Sequence, residues 1–235
     1  ELEKLDVEPG MLTALLVTHE HSDHIAGVGV LSRRYHLPVY ATQGTWNGMC
    51  AKIGRVAPEN RRVVTDDHDF FIGCASVTPF VIPHDAAEPV GYAFAAPGFR
   101  VAVATDLGHL SEDWLRPLYG SDVVLLEANH DPDMLAAGRY PYELKRRIRG
   151  QFGHLANEQA GEAALRLVKE GVRQIILGHL SAENNFPELA WRTVADALDA
   201  AGIAPGEDVG LTVARRDGAE AVYHLESGEA AYAAL

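Results

Sequence analysis

Five short apolar runs, each leading to residues that can bind a metal ion, constrain the fold of this chain most. The runs near 12–17 and 99–104 have the composition of buried strands. Four of the runs lead to His19, His84, Asp106 and His179, and a fifth leads to Glu127, which Asn129 and His130 follow. Because α/β folds commonly place reactive groups at the carboxyl ends of their strands, we expect these side chains to form one functional site.

The hydrophobic pattern predicts about eleven strands and seven helices. The strands fall near 12–17, 38–41, 61–65, 69–72, 75–82, 90–95, 99–104, 121–126, 172–177, 209–214 and 219–224, and the helices near 23–34, 42–52, 111–118, 131–137, 141–149, 156–170 and 186–201. Asn157 and Asn185 are predicted to cap the last two helices. This order favours an α/β protein with a four-layer αββα sandwich, in which helices flank two mixed β-sheets. No linker or repeat interrupts the chain, so we expect a single domain over 1–235.

A cluster of three histidines and one aspartate is the most specific local motif. His19 and His21 lie two positions apart in extended backbone, so their side chains point the same way and can bind one cation together. Asp23 and His24 come at the start of the next helix and can face a second cation. Imidazole and carboxylate suit zinc, and also manganese or iron.

A count of ligands predicts two metal sites rather than one. His19, His21 and His84 would bind the first ion, while Asp23, His24 and His179 would bind the second. Asp106 can bridge the two ions. A hydroxide that both ions share would be the nucleophile of a hydrolytic reaction.

Longer motifs around these residues resemble a known family, the metallo-β-lactamase-fold hydrolases, and within it the YycJ/WalJ branch. The matching segments are 39–42 with Thr45 and Trp46, 82–92, 104–108, 127–131 and 178–185. The resemblance covers essentially the whole chain and implies the same seven metal ligands and a metallo-β-lactamase fold. It also implies a bacterial cytoplasmic nuclease with 5′-to-3′ exonuclease action on DNA.

The resemblance is incomplete at the front of the chain. Members of this branch open with a Ser/Gly-rich strand pair before the region that corresponds to Leu12, whereas this chain starts with Glu1, just upstream of that region. We therefore expect that strand pair to be absent. The predicted metal ligands do not depend on it.

The charge of the chain limits how it can bind a phosphate-bearing substrate. With 20 Lys and Arg against 33 Asp and Glu, the formal net charge is −13, which argues against broad binding of a nucleic-acid backbone. Residues 139–149, however, contain five basic residues and one acidic residue. We expect Lys145, Arg146, Arg147 and Arg149 to contact substrate phosphates, although a solvated helix face explains these charges equally well.

We assign catalytic roles to Asp23 and His154. His154 is not needed as a ligand and follows the basic stretch, an arrangement that resembles the RNase Z pattern, so we expect it to bind the scissile phosphate and to protonate the leaving oxygen. A polar residue near a helix start is the alternative. Glu127, Asn129 and His130 are predicted to orient ligands or to contact substrate, with a local hydrogen bond as the alternative for His130. For Tyr140 and Tyr142, packing against the protein is favoured over stacking on nucleic-acid bases. His36, His68 and His224 lie outside any cluster, and we expect them to be structural or solvated.

Three functions remain open. A phosphodiesterase acting on DNA, or on RNA, is favoured over a small-molecule acyl or β-lactam hydrolase, and over a metal-binding protein without hydrolytic activity. We expect two divalent ions, no membrane segment because the apolar runs are too short, and a cytoplasmic location because no signal peptide opens the chain. Cys50 and Cys74 are expected to be buried. The sequence leaves monomer and homodimer open.

Overall fold

The computed structural model of the protein describes residues 2–216, 218, 221–226 and 229–234, and within the last two ranges only the side chain of Tyr223. The strands are β1 (Leu15–Leu16), β2 (Val39–Ala41), β3 (Arg61–Val63), β4 (Phe70–Ile72), β5 (Ala75–Val81), β6 (Val90–Ala96), β7 (Phe99–Ala104), β8 (Val123–Glu127), β9 (Gln174–Gly178), β10 (Gly210–Val213), β11 (Ala221–Glu226) and β12 (Glu229–Ala234). The α-helices are α1 (Ser22–Ile25), α2 (Val28–Tyr35), α3 (Gln43–Ile53), α4 (Glu112–Leu115), α5 (Pro132–Ala137), α6 (Tyr142–Ile148), α7 (Asn157–Lys169) and α8 (Pro187–Asp199).

The larger sheet has seven strands in the order β10-β9-β8-β7-β6-β5-β4. Strands β7 to β10 pair in parallel, and antiparallel hairpins add β6, β5 and β4. The smaller sheet, β1-β2-β3, pairs in parallel, and β11 and β12 form a separate antiparallel hairpin. Parallel pairing aligns the carboxyl ends of β7, β8 and β9. Asp106 follows β7, Glu127 is the last residue of β8, and His179 follows β9.

Three buried clusters hold the layers together. One packs the larger sheet against α4, α7 and α8, and a second packs the smaller sheet against α1, α2 and α3. The third joins the two sheets: Val77, Val90 and Tyr92 of the larger sheet contact Leu16 of the smaller one. The Tyr92 hydroxyl also donates a hydrogen bond to the Val17 carbonyl across this interface at 3.0 Å. The two sheets pack on each other with helices outside, which confirms the predicted α/β fold class. Of the two sheets, the larger one is mixed, whereas the three strands of the smaller one pair only in parallel.

The predicted strands are all present, and β12 was not foreseen. The helix predicted over 23–34 is divided into α1 and α2 by a turn at 26–27. The predicted caps are wrong: Ala156 and Phe186 occupy the N-cap positions, because the Asn157 and Asn185 side-chain amides bond to each other in both directions.

Two expectations about individual side chains also need comment. Cys50 and Cys74 are exposed rather than buried. The expectation for the His224 side chain lies outside the described residues. Within the part of the chain that the structure describes, no helix has the length and apolar character that crossing a bilayer requires.

Candidate metal centre

The loops that follow β1, β5, β7 and β9 bring the predicted ligands together. Asp106 and His179 have left-handed backbone conformations, with φ angles of 64° and 57°. Such conformations are unfavourable for residues other than glycine and persist only where surrounding contacts hold them. Here Asn129 holds one of them, since its side-chain amide donates to the His179 carbonyl at 2.8 Å.

The first predicted set of ligands converges in the structure. One donor atom from each of His19, His21 and His84 lies within 4.8 Å of the others. Nε2 of His84 is 3.3 Å from Nδ1 of His21. Nε2 of His19 is buried and has no hydrogen-bond partner among the described residues, a costly arrangement that a bound cation would relieve.

The second predicted set, Asp23, His24 and His179, also lies within 4.8 Å. Asp106 stands between the two sets: its Oδ1 is 3.5 Å from Nε2 of His84 and 3.6 Å from Nε2 of His179, and its Oδ2 is 3.4 Å from Nε2 of His24. Oδ2 is buried without a hydrogen-bond partner in the described part of the chain. These residues therefore fit two cations with a shared carboxylate.

Four histidine rings are held through Nδ1, so that Nε2 faces the centre. Thr18 Oγ1 lies 3.1 Å from Nδ1 of His19 and 3.2 Å from Nδ1 of His24. The Gly153 carbonyl lies 3.1 Å from Nδ1 of His84, and the fourth ring, that of His179, bonds to Glu127 at 2.8 Å. Such partners fix the tautomer and the orientation of a ligand imidazole. Sequence reasoning missed Thr18, although its position directly before His19 was a signal.

Electrostatics keep three of these imidazoles neutral. Burial and the neighbouring imidazoles of His24 and His84 lower the pKa of His19 to about 2. Burial also lowers the pKa values of His24 and His84, in spite of the nearby carboxylate of Asp106. A neutral ring keeps its lone pair available, and a metal ion requires that lone pair.

Glu127 is a fully buried carboxylate that holds two histidines. Its Oε1 accepts hydrogen bonds from Nδ1 of His154 at 2.9 Å and of His179, and its Oε2 accepts from the backbone N–H groups of Leu107 and Leu155 at 2.7 and 3.2 Å. Burial alone would raise the pKa of Glu127, but the bonds from the two histidines outweigh it and hold that pKa far below its usual range.

Glu127 could also be read as a metal ligand, because it forms a further group within 4.8 Å with Asp106, His154 and His179. A carboxylate has about four lone-pair positions, and four N–H groups already occupy those of Glu127. We therefore interpret Glu127 as the group that orients His154 and His179.

His154 lies beside both sets of ligands. Its ring centroid is 5.1 Å from that of His84 and 5.3 Å from that of His179. Burial would lower the pKa of His154, but the hydrogen bond to Glu127 reverses the effect and raises it. Glu127 engages Nδ1, which leaves Nε2 available to a substrate.

The basic stretch is only partly available for a substrate. Arg147 makes a two-pronged ion pair with Asp85, the residue after His84, with 2.9 Å between Nη2 and Oδ1. Arg146 pairs with Glu143 at 2.9 Å. Lys145 and Arg149 instead donate to the carbonyls of Ala136 and Pro132, at 2.7 and 3.1 Å. Sequence reasoning missed Asp85 as a partner, since it is 62 residues from Arg147.

His130 is buried at 2% exposure, and its Nδ1 has no hydrogen-bond partner in the described residues. Burial lowers the pKa of His130 to about 4. The local side-chain hydrogen bond considered for His130 is therefore absent at Nδ1 in the described part of the chain.

Known proteins resemble this chain in both sequence and fold. The profile of a family described as "Beta-lactamase superfamily domain" matches residues 4–180. Exodeoxyribonuclease YycJ of Bacillus anthracis is 41% identical over 196 residues, which are 83% of this chain and 74% of that protein. Exodeoxyribonuclease WalJ of Streptococcus pneumoniae is 37% identical over 88% of this chain and 78% of its own length. The metallo-beta-lactamase fold protein YhfI of Bacillus subtilis superposes with a TM-score of 0.63 at 16% identity, over 91% of this chain and 80% of that one.

Replacing the buried carboxylate tests how far the ligands depend on it. In Glu127→Gln an amide donor would face N–H groups, so the orientation of His179 should be lost and the affinity for zinc should fall about 10- to 100-fold. Competition with a chelator measures this affinity. Glu188→Gln, which changes an exposed carboxylate at the start of α8, is the control and should bind zinc as the wild type does. Unchanged zinc affinity in folded Glu127→Gln would contradict the assignment.

Proposed function

The chain belongs to the beta-lactamase superfamily, and within it to the group of the exodeoxyribonucleases YycJ and WalJ; from this premise we propose that it is an exodeoxyribonuclease that uses two divalent cations. The family consists of metal-dependent hydrolases, and the relatives at 37–41% identity are exodeoxyribonucleases. The 5′-to-3′ direction that the resemblance implies stays a prediction.

The two sets of donors described above would hold the cations. His19, His21 and His84 would bind one ion, Asp23, His24 and His179 the other, and Asp106 both. When bound, such a pair of ions lowers the pKa of water and stabilises negative charge at an attacked phosphate. Zinc and manganese suit these nitrogen and oxygen donors, and iron does too.

The pairing of His154 with Glu127 beside the donor sets favours phosphodiester cleavage. A leaving alkoxide needs a proton, and a general acid must carry that proton near neutral pH. Glu127 raises the pKa of His154 and engages its Nδ1, so a protonated His154 would present Nε2–H to the phosphate and to the leaving oxygen. The ring lies at the rim of the donor sets, with 19% of its side chain exposed, and is therefore within reach of a substrate.

A panel of substrates tests the proposed reaction. Enzyme loaded with zinc or with manganese is given an end-labelled single-stranded DNA oligonucleotide, a small phosphodiester and a chromogenic β-lactam. We expect shortening of the oligonucleotide from one end and turnover of the small diester, because the site is built for phosphate. Apo-enzyme is the control. Turnover of the lactam alone would support the alternative, a small-molecule hydrolase, and would contradict the proposal.

Removing the proposed acid should slow the reaction and leave the metal sites intact. In His154→Ala we expect kcat on the oligonucleotide to fall about 10²- to 10⁴-fold, the usual contribution of a positioned acid or base. Metal content should stay at the wild-type value, because no ligand is changed. His68→Ala, at a histidine whose side chain is 78% exposed, is the matched control. Wild-type kcat in metal-loaded His154→Ala would rule out this role.

A further inference from the structure

A cavity of about 550 Å³ lies beside α5 and α6, and none of the residues that line it is a proposed metal ligand. We call it the α6 cavity. Its lining includes Tyr140, Tyr142, Lys145, Arg149 and Gly150. It thus combines aromatic rings with cationic groups, the combination with which proteins bind single-stranded nucleic acid.

Of the three cations that line the α6 cavity, Lys145 and Arg149 lack a carboxylate partner among the described residues, whereas Arg146 has one. Their hydrogen bonds go to the backbone carbonyls of Ala136 and Pro132, which fix the side chains in place but carry no net charge. Among the described residues neither cation has a carboxylate partner, whereas Arg146 and Arg147 are paired with Glu143 and Asp85. Lys145 and Arg149 are therefore the better candidates for a phosphate contact.

The aromatic side of the α6 cavity suits an unpaired base. The side chain of Tyr142 is exposed, with a relative accessibility of 74%, so that a flat ring can stack on it without any rearrangement of the core. In a duplex the faces of the bases are covered by their neighbours, and only a single strand or an opened end can offer one. This surface changes the interpretation of Tyr142, for which the sequence favoured packing.

A short loop, 150–153, connects the α6 cavity to His154 and is held by backbone hydrogen bonds. The His154 N–H donates to the Ile148 carbonyl at 2.9 Å, and the Gly153 N–H donates to Gly150, in the cavity wall, also at 2.9 Å. Position 153 requires glycine, because a Cβ there would lie 2.1 Å from the Ile148 carbonyl oxygen. Arg149 directly follows Ile148, so its backbone lies close to that of His154.

We propose that the α6 cavity binds one unpaired nucleotide of a single DNA strand, next to the nucleotide whose phosphate is at His154. Lys145 and Arg149 bind its phosphate, and Tyr142 stacks on its base. The inference rests on the proposed nuclease function, which supplies the strand. This subsite would supply the local positive charge that a protein with a net charge of −13 needs in order to bind a phosphate.

Salt dependence and KM test the subsite. With a single-stranded oligonucleotide as ligand, the Lys145→Gln/Arg149→Gln variant should reduce the magnitude of the slope of log affinity against log salt by about 0.7, because the two side chains bind one phosphate and each phosphate contact to a single strand contributes about 0.7. Its KM for the oligonucleotide should rise at least tenfold. Tyr142→Ala should weaken binding about tenfold through lost stacking, and Tyr142→Phe should restore it. Arg192→Gln, in the exposed ion pair with Asp196 on α8, is the matched control and should keep both values.

A small phosphodiester separates the two proposals. The ratio of kcat/KM for the oligonucleotide to that for the diester should fall at least tenfold in the double variant, because the diester is too short to reach the α6 cavity. Wild-type slope, KM and ratio in both the double variant and Tyr142→Ala, with the diester still hydrolysed, would overturn the subsite alone. If the wild type hydrolysed neither the oligonucleotide nor the diester, the proposed function itself would be overturned.

Discussion

The buried carboxylate of Glu127 is the contact on which the rest of the site depends. An ionised carboxylate in the interior is unfavourable unless hydrogen bonds compensate for the lost water, and here four N–H groups do so. These groups come from His154, His179, Leu107 and Leu155. Leu107 follows Asp106 and Leu155 follows His154, so one side chain positions the proposed metal ligand His179, the proposed bridging carboxylate and the proposed acid together. Glu127 binds His154 and His179 in the same way, through Nδ1, yet in our proposal His179 binds a metal ion and His154 contacts the substrate.

The positive charge near the site is concentrated in a few residues. The formal net charge of the chain is −13, but residues 139–149 contain five basic residues and only one acidic residue. Two of these five are engaged by Glu143 and Asp85, which leaves three without a carboxylate partner among the described residues: Arg139 and, at the α6 cavity, Lys145 and Arg149. A protein of this kind would engage an end or a single strand locally. Broad binding of duplex DNA would require far more unpaired cations.

The sequence predicted those features that depend on local pattern. Apolar runs are enough to predict strands. The period of two residues in an extended backbone is enough to predict that His19 and His21 point the same way. Long-range pairing could not be read in this way. Arg147 binds Asp85 rather than a free phosphate, and the amides of Asn157 and Asn185 bind each other instead of capping helices. In each case a polar side chain has several possible partners, and only the packed fold decides which one is near.

The proposed centre requires that His179 binds a metal ion and that His154 and Glu127 bind none. Anomalous diffraction from crystals loaded with zinc or manganese tests it most directly. We expect two anomalous peaks, one bonded to His19, His21 and His84, the other to Asp23, His24 and His179, with Asp106 in contact with both. A single peak, or a peak bonded to Glu127 or to His154, would contradict it.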